Sequence, residues 1–234
     1  MGAEKDIVFP MEPRSVLLNF QKYLMECEKK EILEYEQIYW FDLKNRKVKG
    51  PPKNPSGVGN DGFDNDKNEY ITEEGQHLAF RFEILDRLGK GAFGQVFKCY
   101  DHKLKEVVAC KILRNKKRLY KQGLVEVQIL EQLRDNDPED KKNIIRIKEN
   151  FVFRKHLVLC FEMLSINLYE FIKNNNFQGV STGLIRRFAI QLLVSLHYMK
   201  EHNIIHCDMK PENILLRKPN KSGIKIIDYG SGTY

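Results

Sequence analysis

Residues 80–113, "FRFEILDRLGKGAFGQVFKCYDHKLKEVVACKIL", constrain the fold more than any other stretch of this chain. Apolar and polar residues alternate on both sides of the glycines, which is the period of a half-buried strand. Two strands joined by glycines, followed by a third in "EVVACKIL", predict a small antiparallel sheet. Gly89, Gly91 and Gly94 have the G-x-G-x-x-G spacing, a weak signal alone because dinucleotide-binding folds share it. The dinucleotide version runs from a strand into a helix. Here the residues after Gly94 alternate again, so the glycines close a hairpin. A tip without side chains lets backbone N–H groups lie over phosphates; an ordinary glycine turn is the other reading.

The rest of the chain fits around that sheet. Residues 118–134 read as a helix, and "IIRIKENFVF" and "HLVLCFEML" as two more strands. A long helix is expected near 183–202, with Ile185, Phe188, Ala189, Leu192, Leu196 and Met199 as its apolar stripe. "NIIH", "NILL" and "GIKIID" read as short strands between turns. Upstream, Leu17, Phe20, Leu24 and Cys27 recur at helical spacing within 15–30, and "QIYWFDL" (37–43) reads as a strand. Residues 50–69 are rich in structure breakers. Asp64, Asp66 and Asn68 alternate as in a calcium loop, but Glu69 and Gly75 stand where that loop needs Gly and Glu. A turn-rich connection is the reading taken. The fold class is α+β: an antiparallel sheet with one helix, then the beginning of a mainly helical unit.

Bulk composition narrows the function classes. With 42% hydrophobic and 30% charged residues in 234, wholesale disorder is excluded. No apolar run approaches the roughly 18 residues of a membrane helix. The N-terminus "MGAEKD" has no signal core, and Asp6 stands where a myristoylation signal wants Ser or Thr. The five cysteines are odd in number and lack a C-x-x-C pair, which suits reduced thiols inside a cell. The sequon "NKS" at 220–222 is then expected to be unused. A net charge of +7 permits acidic partners, yet "RNKKR" (114–118) is the one dense basic cluster. It reads as a solvated loop or a nuclear-import signal. Without a basic stripe interleaved with aromatics, nucleic acid is not an expected partner, and neither is a membrane. An intracellular location follows, in the cytoplasm and, through that cluster, the nucleus.

The chemistry-bearing residues come in a fixed order. Lys111 follows Val107, Val108 and Ala109 in an otherwise apolar strand, where a lysine is expensive to bury unless paired. Glu126 shares a helix face with Ile129, Leu130 and Leu133 and so points inward as a candidate partner. The pair either grips ATP phosphates or is a structural salt bridge. "HCDMKPEN" (206–213) is the most specific stretch. Asp208 can accept or orient a hydroxyl proton, Lys210 can neutralise a transferring phosphoryl group, and Asn213 can bind a metal. Phosphoryl transfer needs positioning and charge neutralisation more than covalent help. Asp228, leaving the strand "IKIID", is the second candidate metal ligand.

"GKGAFGQV", "ACK", "HCDMKPENILL" and "SGIKIIDYGSGTY" together resemble eukaryotic protein kinases, and within them the dual-specificity tyrosine-regulated (DYRK) group. Cys207, "SINLYEFI" (165–172) and residues 11–80, which resemble the accessory segment of class II members, favour that branch. The resemblance covers about residues 11–234. It implies residues 1–10 as a tail, 11–80 as the accessory segment, and 82–234 as a kinase domain. The small lobe would span about 82–164 and the large lobe would start at 165–234. It implies ATP and Mg²⁺ as cofactors and Ser/Thr of proteins as substrates, with tyrosine self-phosphorylation. Leu88, Gly89, Lys90, Gly91, Ala92, Phe93, Gly94, Gln95 and Val96 would cover the nucleotide. Val96, Ala109 and Leu215 would enclose the adenine, Phe161 would be the gatekeeper, and Glu162, Met163 and Leu164 the hinge. Asn167 would lie near the ribose, Lys111 and Glu126 would form the phosphate-gripping pair, and Leu130, His206 and Tyr229 would stack as a regulatory column.

Three departures from the family pattern bear on function. Tyr229 replaces the phenylalanine of D-F-G, which is tolerable if its hydroxyl finds a partner. Cys207 replaces an arginine that normally pairs with an activation-loop phosphate, so activation should not use that pairing. The chain also ends 26 residues after Asp208, before the activation motif and later helices of the family. The expectation is therefore a fragment or truncated product of an active kinase, the missing end favouring a non-catalytic reading for this chain by itself. It is read as an ATP-dependent protein kinase, or alternatively as a non-catalytic module that binds ATP or a partner.

Overall fold

The computed structural model describes residues 8–43 and 59–234. Expectations that fall on residues 1–7 and 44–58, including the lack of an N-terminal lipidation signal and half of the breaker-rich stretch, lie outside the described residues. The chain forms two compact units, Met1–Asn115 with Val152–Val158, and Lys116–Phe151 with Leu159–Tyr234. The accessory segment and the first strands fall in the first unit.

In the first unit the alternating residues form strands β2 (Phe82–Lys90), β3 (Gly94–Asp101) and β4 (Glu106–Leu113), preceded by a two-residue strand β1 (His77–Leu78). Neighbours pair antiparallel, with Val96 opposite Lys111 and Gly89 opposite Val96. With β5 (Ile147–Phe153) and β6 (His156–Glu162) they make a six-stranded sheet of order β1-β2-β3-β4-β6-β5. The α+β kinase-like expectation holds.

The accessory segment differs from its sequence pattern. In place of one helix over 15–30 there are two, α1 (Pro13–Phe20) and α2 (Glu26–Glu31), with Leu24 extended between them. The reason is an inward carboxylate. Glu28 is fully buried and accepts from Met25 N at 2.9 Å, from His77 Nε2 at 2.9 Å and from Arg154 Nη2 at 3.2 Å. A buried charge needs partners of this kind. Turning α2 to present Glu28 leaves Cys27 exposed, contrary to the stripe, while Val16, Leu24 and Ile32 enter a core with Ile38, Phe41 and Phe80. "QIYWFDL" is not a strand: Ile38 makes a single bridge to Met11, and the amides of Tyr39 and Trp40 both donate to Phe80 O.

In the second unit α3 (Lys117–Asp135) buries Glu126, Val127, Ile129, Leu130 and Leu133 on one face. "SINLYEFI" supplies α4 (Leu168–Asn174). The long helix α5 (Thr182–Glu201) begins where Ser181 Oγ accepts from Leu184 N at 3.3 Å. Its inward face keeps Phe188, Leu192 and Met199 of the predicted stripe but not the rest. Phe188, Ser195, Tyr198 and Met199 are buried, whereas Ile185 and Leu196 are 53% and 43% exposed and Ala189 is exposed too. Two polar residues complete that face. Ser195 Oγ lies 2.9 Å from Lys142 O, and Tyr198 donates its hydroxyl to Leu133 O at 2.9 Å. Strands β7 (Ile214–Leu216) and β8 (Ile224–Ile226) pair antiparallel and pack with Leu168 and Phe188. "NIIH" contributes only a bridge, Ile205 to Thr233.

Candidate active site

The second unit holds the loop that sequence singles out. Residues 206–213 enter β7 through a turn of 3-10 helix at Pro211–Asn213. His206 anchors the start. Its Nε2 lies 2.8 Å from Ile227 O, and Asp208 N donates to its Nδ1 at 3.2 Å. A carbonyl on one nitrogen and an N–H on the other assign the proton to Nε2. Cys207, between them, is exposed and left-handed at φ +64°.

Asp208, Lys210 and Asn213 converge. Asp208 Oδ2 accepts from Lys210 Nζ at 2.7 Å and from Asn213 Nδ2 at 3.0 Å, and Nδ2 also reaches Asp208 O at 2.9 Å. Both side-chain donors sit on Oδ2, and Oδ1 accepts from none of the described residues. The Asp208 hydrogen bond pushes the Lys210 ammonium above its ordinary range. Asn213 uses its amide nitrogen on Asp208, which leaves Oδ1 as its atom for a cation.

Asp228 is brought beside this loop by β8, because Ile227 N donates to Asn213 O at 2.9 Å. Its backbone is left-handed, φ +62°, and turns the chain into the 3-10 helix Tyr229–Ser231. One amide oxygen and one carboxylate suit Mg²⁺, which is held by one or two protein oxygens together with substrate phosphates. Among the described residues there is no group of three or more His, Cys, Asp or Glu that could hold a metal alone. The donor set therefore fits a cation that arrives with a phosphate.

Of the three residues expected to stack, His206 and Tyr229 are in ring contact. The Tyr229 ring is fully buried and lies edge-on to His206 at 4.7 Å between centroids, with Leu130 buried on α3. The expected partner for the phenol is missing, however: Tyr229 Oη has none among the described residues, and burial pushes its pKa well above the ordinary value. The D-Y-G tyrosine thus occupies a phenyl-type site with an unsatisfied hydroxyl.

The hinge residues also fall in the second unit. Phe161 and Leu164 are buried; Glu162 and Met163 are half-buried. Glu162 N donates to Arg146 O at 3.2 Å, and its side chain accepts from Arg146 N at 2.8 Å and pairs with Lys225. Lys225, fully buried on β8, also meets Asp140 Oδ1 at 2.7 Å. Sequence reading missed this lysine, although a cation inside "IKIID" was a signal of the kind read at Lys111. Asn167 caps α4, accepting from Glu170 N at 2.7 Å, and bridges to Leu215.

The first unit carries the glycine hairpin. Gly91 N donates to Gly94 O at 2.9 Å, closing the tip. Val96, Ala109 and Lys111 share one sheet face, since Val96 pairs with Lys111 and Ala109 is two residues away. Lys111 is 8% exposed, and its Nζ lies 5.9 Å from the Phe93 ring centroid. Leu88 and Lys90 close β2, Ala92 is exposed at the tip, and Gln95 is buried. Glu126, the expected partner of Lys111, is buried on α3 in the second unit.

Residues 82–234 match the protein kinase domain family. The chain belongs to the protein kinase family. A probable serine/threonine-protein kinase dyrk2 of Dictyostelium discoideum is 51% identical over 211 residues, 90% of this chain and 23% of that protein. Dual specificity tyrosine-phosphorylation-regulated kinase 3 of Rattus norvegicus is 44% identical over 97% of the chain and 38% of its own length. Kinase 4 of the same name in Homo sapiens is 44% identical over 92% of the chain and 41% of its length. These relatives are kinases of the DYRK group, and the chain is similar to them over most of its length. It spans between about a quarter and two fifths of the length of these relatives.

Proposed function

We propose that this kinase transfers the γ-phosphoryl group of ATP to Ser and Thr hydroxyls of protein substrates and phosphorylates its own tyrosine. The observation that carries the reading is the Asp208 carboxylate. Lys210 and Asn213 immobilise Oδ2, and Oδ1 is left to receive a substrate hydroxyl. A hydroxyl oriented by a fixed carboxylate needs little further activation, because phosphoryl transfer depends on alignment and charge neutralisation.

The other residues divide the remaining work. Lys210 keeps a positive charge close to the oxygen that Asp208 orients. Asn213 and Asp228 would hold Mg²⁺, which neutralises phosphate charge when bound. Residues 88–96 would cover the phosphates with backbone, and Lys111, kept inward by its apolar strand, would grip them. Val96, Ala109 and Leu215 would contact the adenine, Phe161 would limit the depth of its pocket, and Glu162 to Leu164 would offer backbone hydrogen bonds. Asn167 would serve the ribose. The names of the relatives support dual specificity, and reduced thiols support action inside the cell.

Titration calorimetry tests the assignment. ATP binding should require Mg²⁺, and Asn213→Ala and Asp228→Ala should each weaken it while leaving adenosine binding unchanged. ATP binding that ignores both Mg²⁺ and these substitutions would contradict the proposed metal ligands.

A further inference from the structure

The tip of the glycine hairpin is held from outside the kinase domain. Glu69 lies in a polar turn of the accessory segment, yet its side chain is only 1% exposed. Its Oε2 accepts from Lys90 Nζ at 2.7 Å and from Asn65 Nδ2 at 2.8 Å, and its Oε1 accepts from Arg114 Nη2 at 2.8 Å. Arg114 carries the grip further. Its Nη2 reaches Gly91 O at 3.2 Å, and its backbone N–H donates to Phe93 O at 3.0 Å. The next accessory residue, Tyr70, accepts at its carbonyl from Gln95 Nε2 at 2.9 Å. The turn therefore engages both arms of the hairpin, directly at 90 and 95 and through Arg114 at 91.

Magnitudes favour a pinned hairpin over a decorative surface bridge. An exposed Lys–Glu pair contributes little, and the contact from Lys90 alone, 44% exposed, would be such a pair. The carboxylate is the decisive partner. Once buried it must keep its cations, since a buried charge left uncompensated is strongly disfavoured. Burial pushes the Glu69 carboxyl up, but the bonds from Lys90 and Asn65 and the charges of Lys90 and Arg114 outweigh it and hold the pKa at about 2. The cluster stays closed as long as Glu69 is ionised.

We propose that Glu69 is a positioning residue for the glycine hairpin: the accessory segment, through this carboxylate, fixes residues 90–95 in their phosphate-covering form and so sets the affinity for ATP. The last clause rests on the ATP reading above; the fixing of the hairpin does not.

Hydrogen exchange on the full chain without nucleotide, paired with ATP titration, tests both halves. In Glu69→Gln the amides of 89–95 should exchange about tenfold faster, the equivalent of ~1.4 kcal/mol, while those of β4 keep their protection. The KM for ATP should rise by a similar factor and that for a peptide substrate should not. Lys90→Met, at an exposed position, should shift both readouts in the same direction by less. If Glu69→Gln loosens β4 as well, Lys90→Met decides alone. Unchanged hairpin exchange in a folded variant overturns the proposal, and faster exchange with unaltered ATP affinity overturns its second half. Wild-type chain that binds no ATP would sink the kinase reading, and the exchange data would still decide whether Glu69 holds the hairpin.

Discussion

Lys225 Nζ lies 2.7 Å from Asp140 Oδ1, and the lysine side chain is wholly out of solvent. The same ammonium serves Glu162 at the hinge. Lys225→Ala would leave two part-buried carboxylates without their shared cation. Loss of one partner from such a network costs roughly 3 kcal/mol, and urea unfolding should show it. Lys225→Arg, which keeps the charge, should recover part of the loss.

Tyr229→Phe should stabilise the protein. The substitution removes a buried hydroxyl with no partner among the described residues and keeps the ring against His206. Relief of an unsatisfied buried hydroxyl is worth about 1–3 kcal/mol. A denaturation midpoint that falls in the variant would contradict the assigned environment.

The glycines of the hairpin should separate into two kinds. A Cβ on Gly94 would overlap Ile112 O and come within 2.9 Å of Leu113 Cα, both backbone atoms that cannot step aside. Gly94→Ala should therefore destabilise the β3–β4 pair by about 1–3 kcal/mol or more. Gly89 and Gly91 face open space. Alanine there should leave the melting temperature within a few degrees and act, if at all, on nucleotide affinity.

Acid should weaken the fold through Glu69. Its carboxyl ionises at about 2 in the folded protein, against an ordinary 4.5. As pH falls the unfolded chain takes up the proton first, so the stabilisation is whole above pH 4.5 and is lost on the way down to 2. The loss is on the order of 3 kcal/mol. Urea titrations across that range should give a shallower pH slope for Glu69→Gln than for the wild type.

These predictions mix what local sequence shows with what it hides. The strands on either side of the glycines were legible because alternation is a local property, and the loop 206–213 because its working residues lie within eight positions. The same is true of α3, whose inward face follows the 3.6-residue period. What escaped is set by distant partners. The break between α1 and α2 follows from Glu28 meeting His77 and Arg154, 49 and 126 residues away. The inward face of α5 includes hydroxyls bonding to Lys142 and Leu133, so a count of apolar residues found Phe188 and Met199 but missed Ser195 and Tyr198. Glu69 looked like one more acidic residue in a turn, and nothing local marks its reach to Lys90 and Arg114.

The central claim is that the Asp208 carboxylate aligns a hydroxyl for attack on ATP. Transfer of labelled γ-phosphate from ATP to a basic protein substrate, measured for the wild-type chain beside Asp208→Asn, tests it most directly. The asparagine keeps the shape and the Asn213 contact but loses the charge that orients the hydroxyl. Transfer should fall by about 10²-fold or more, with ATP affinity changed less than threefold by the same order-of-magnitude reasoning. Equal transfer by the two proteins would contradict the account.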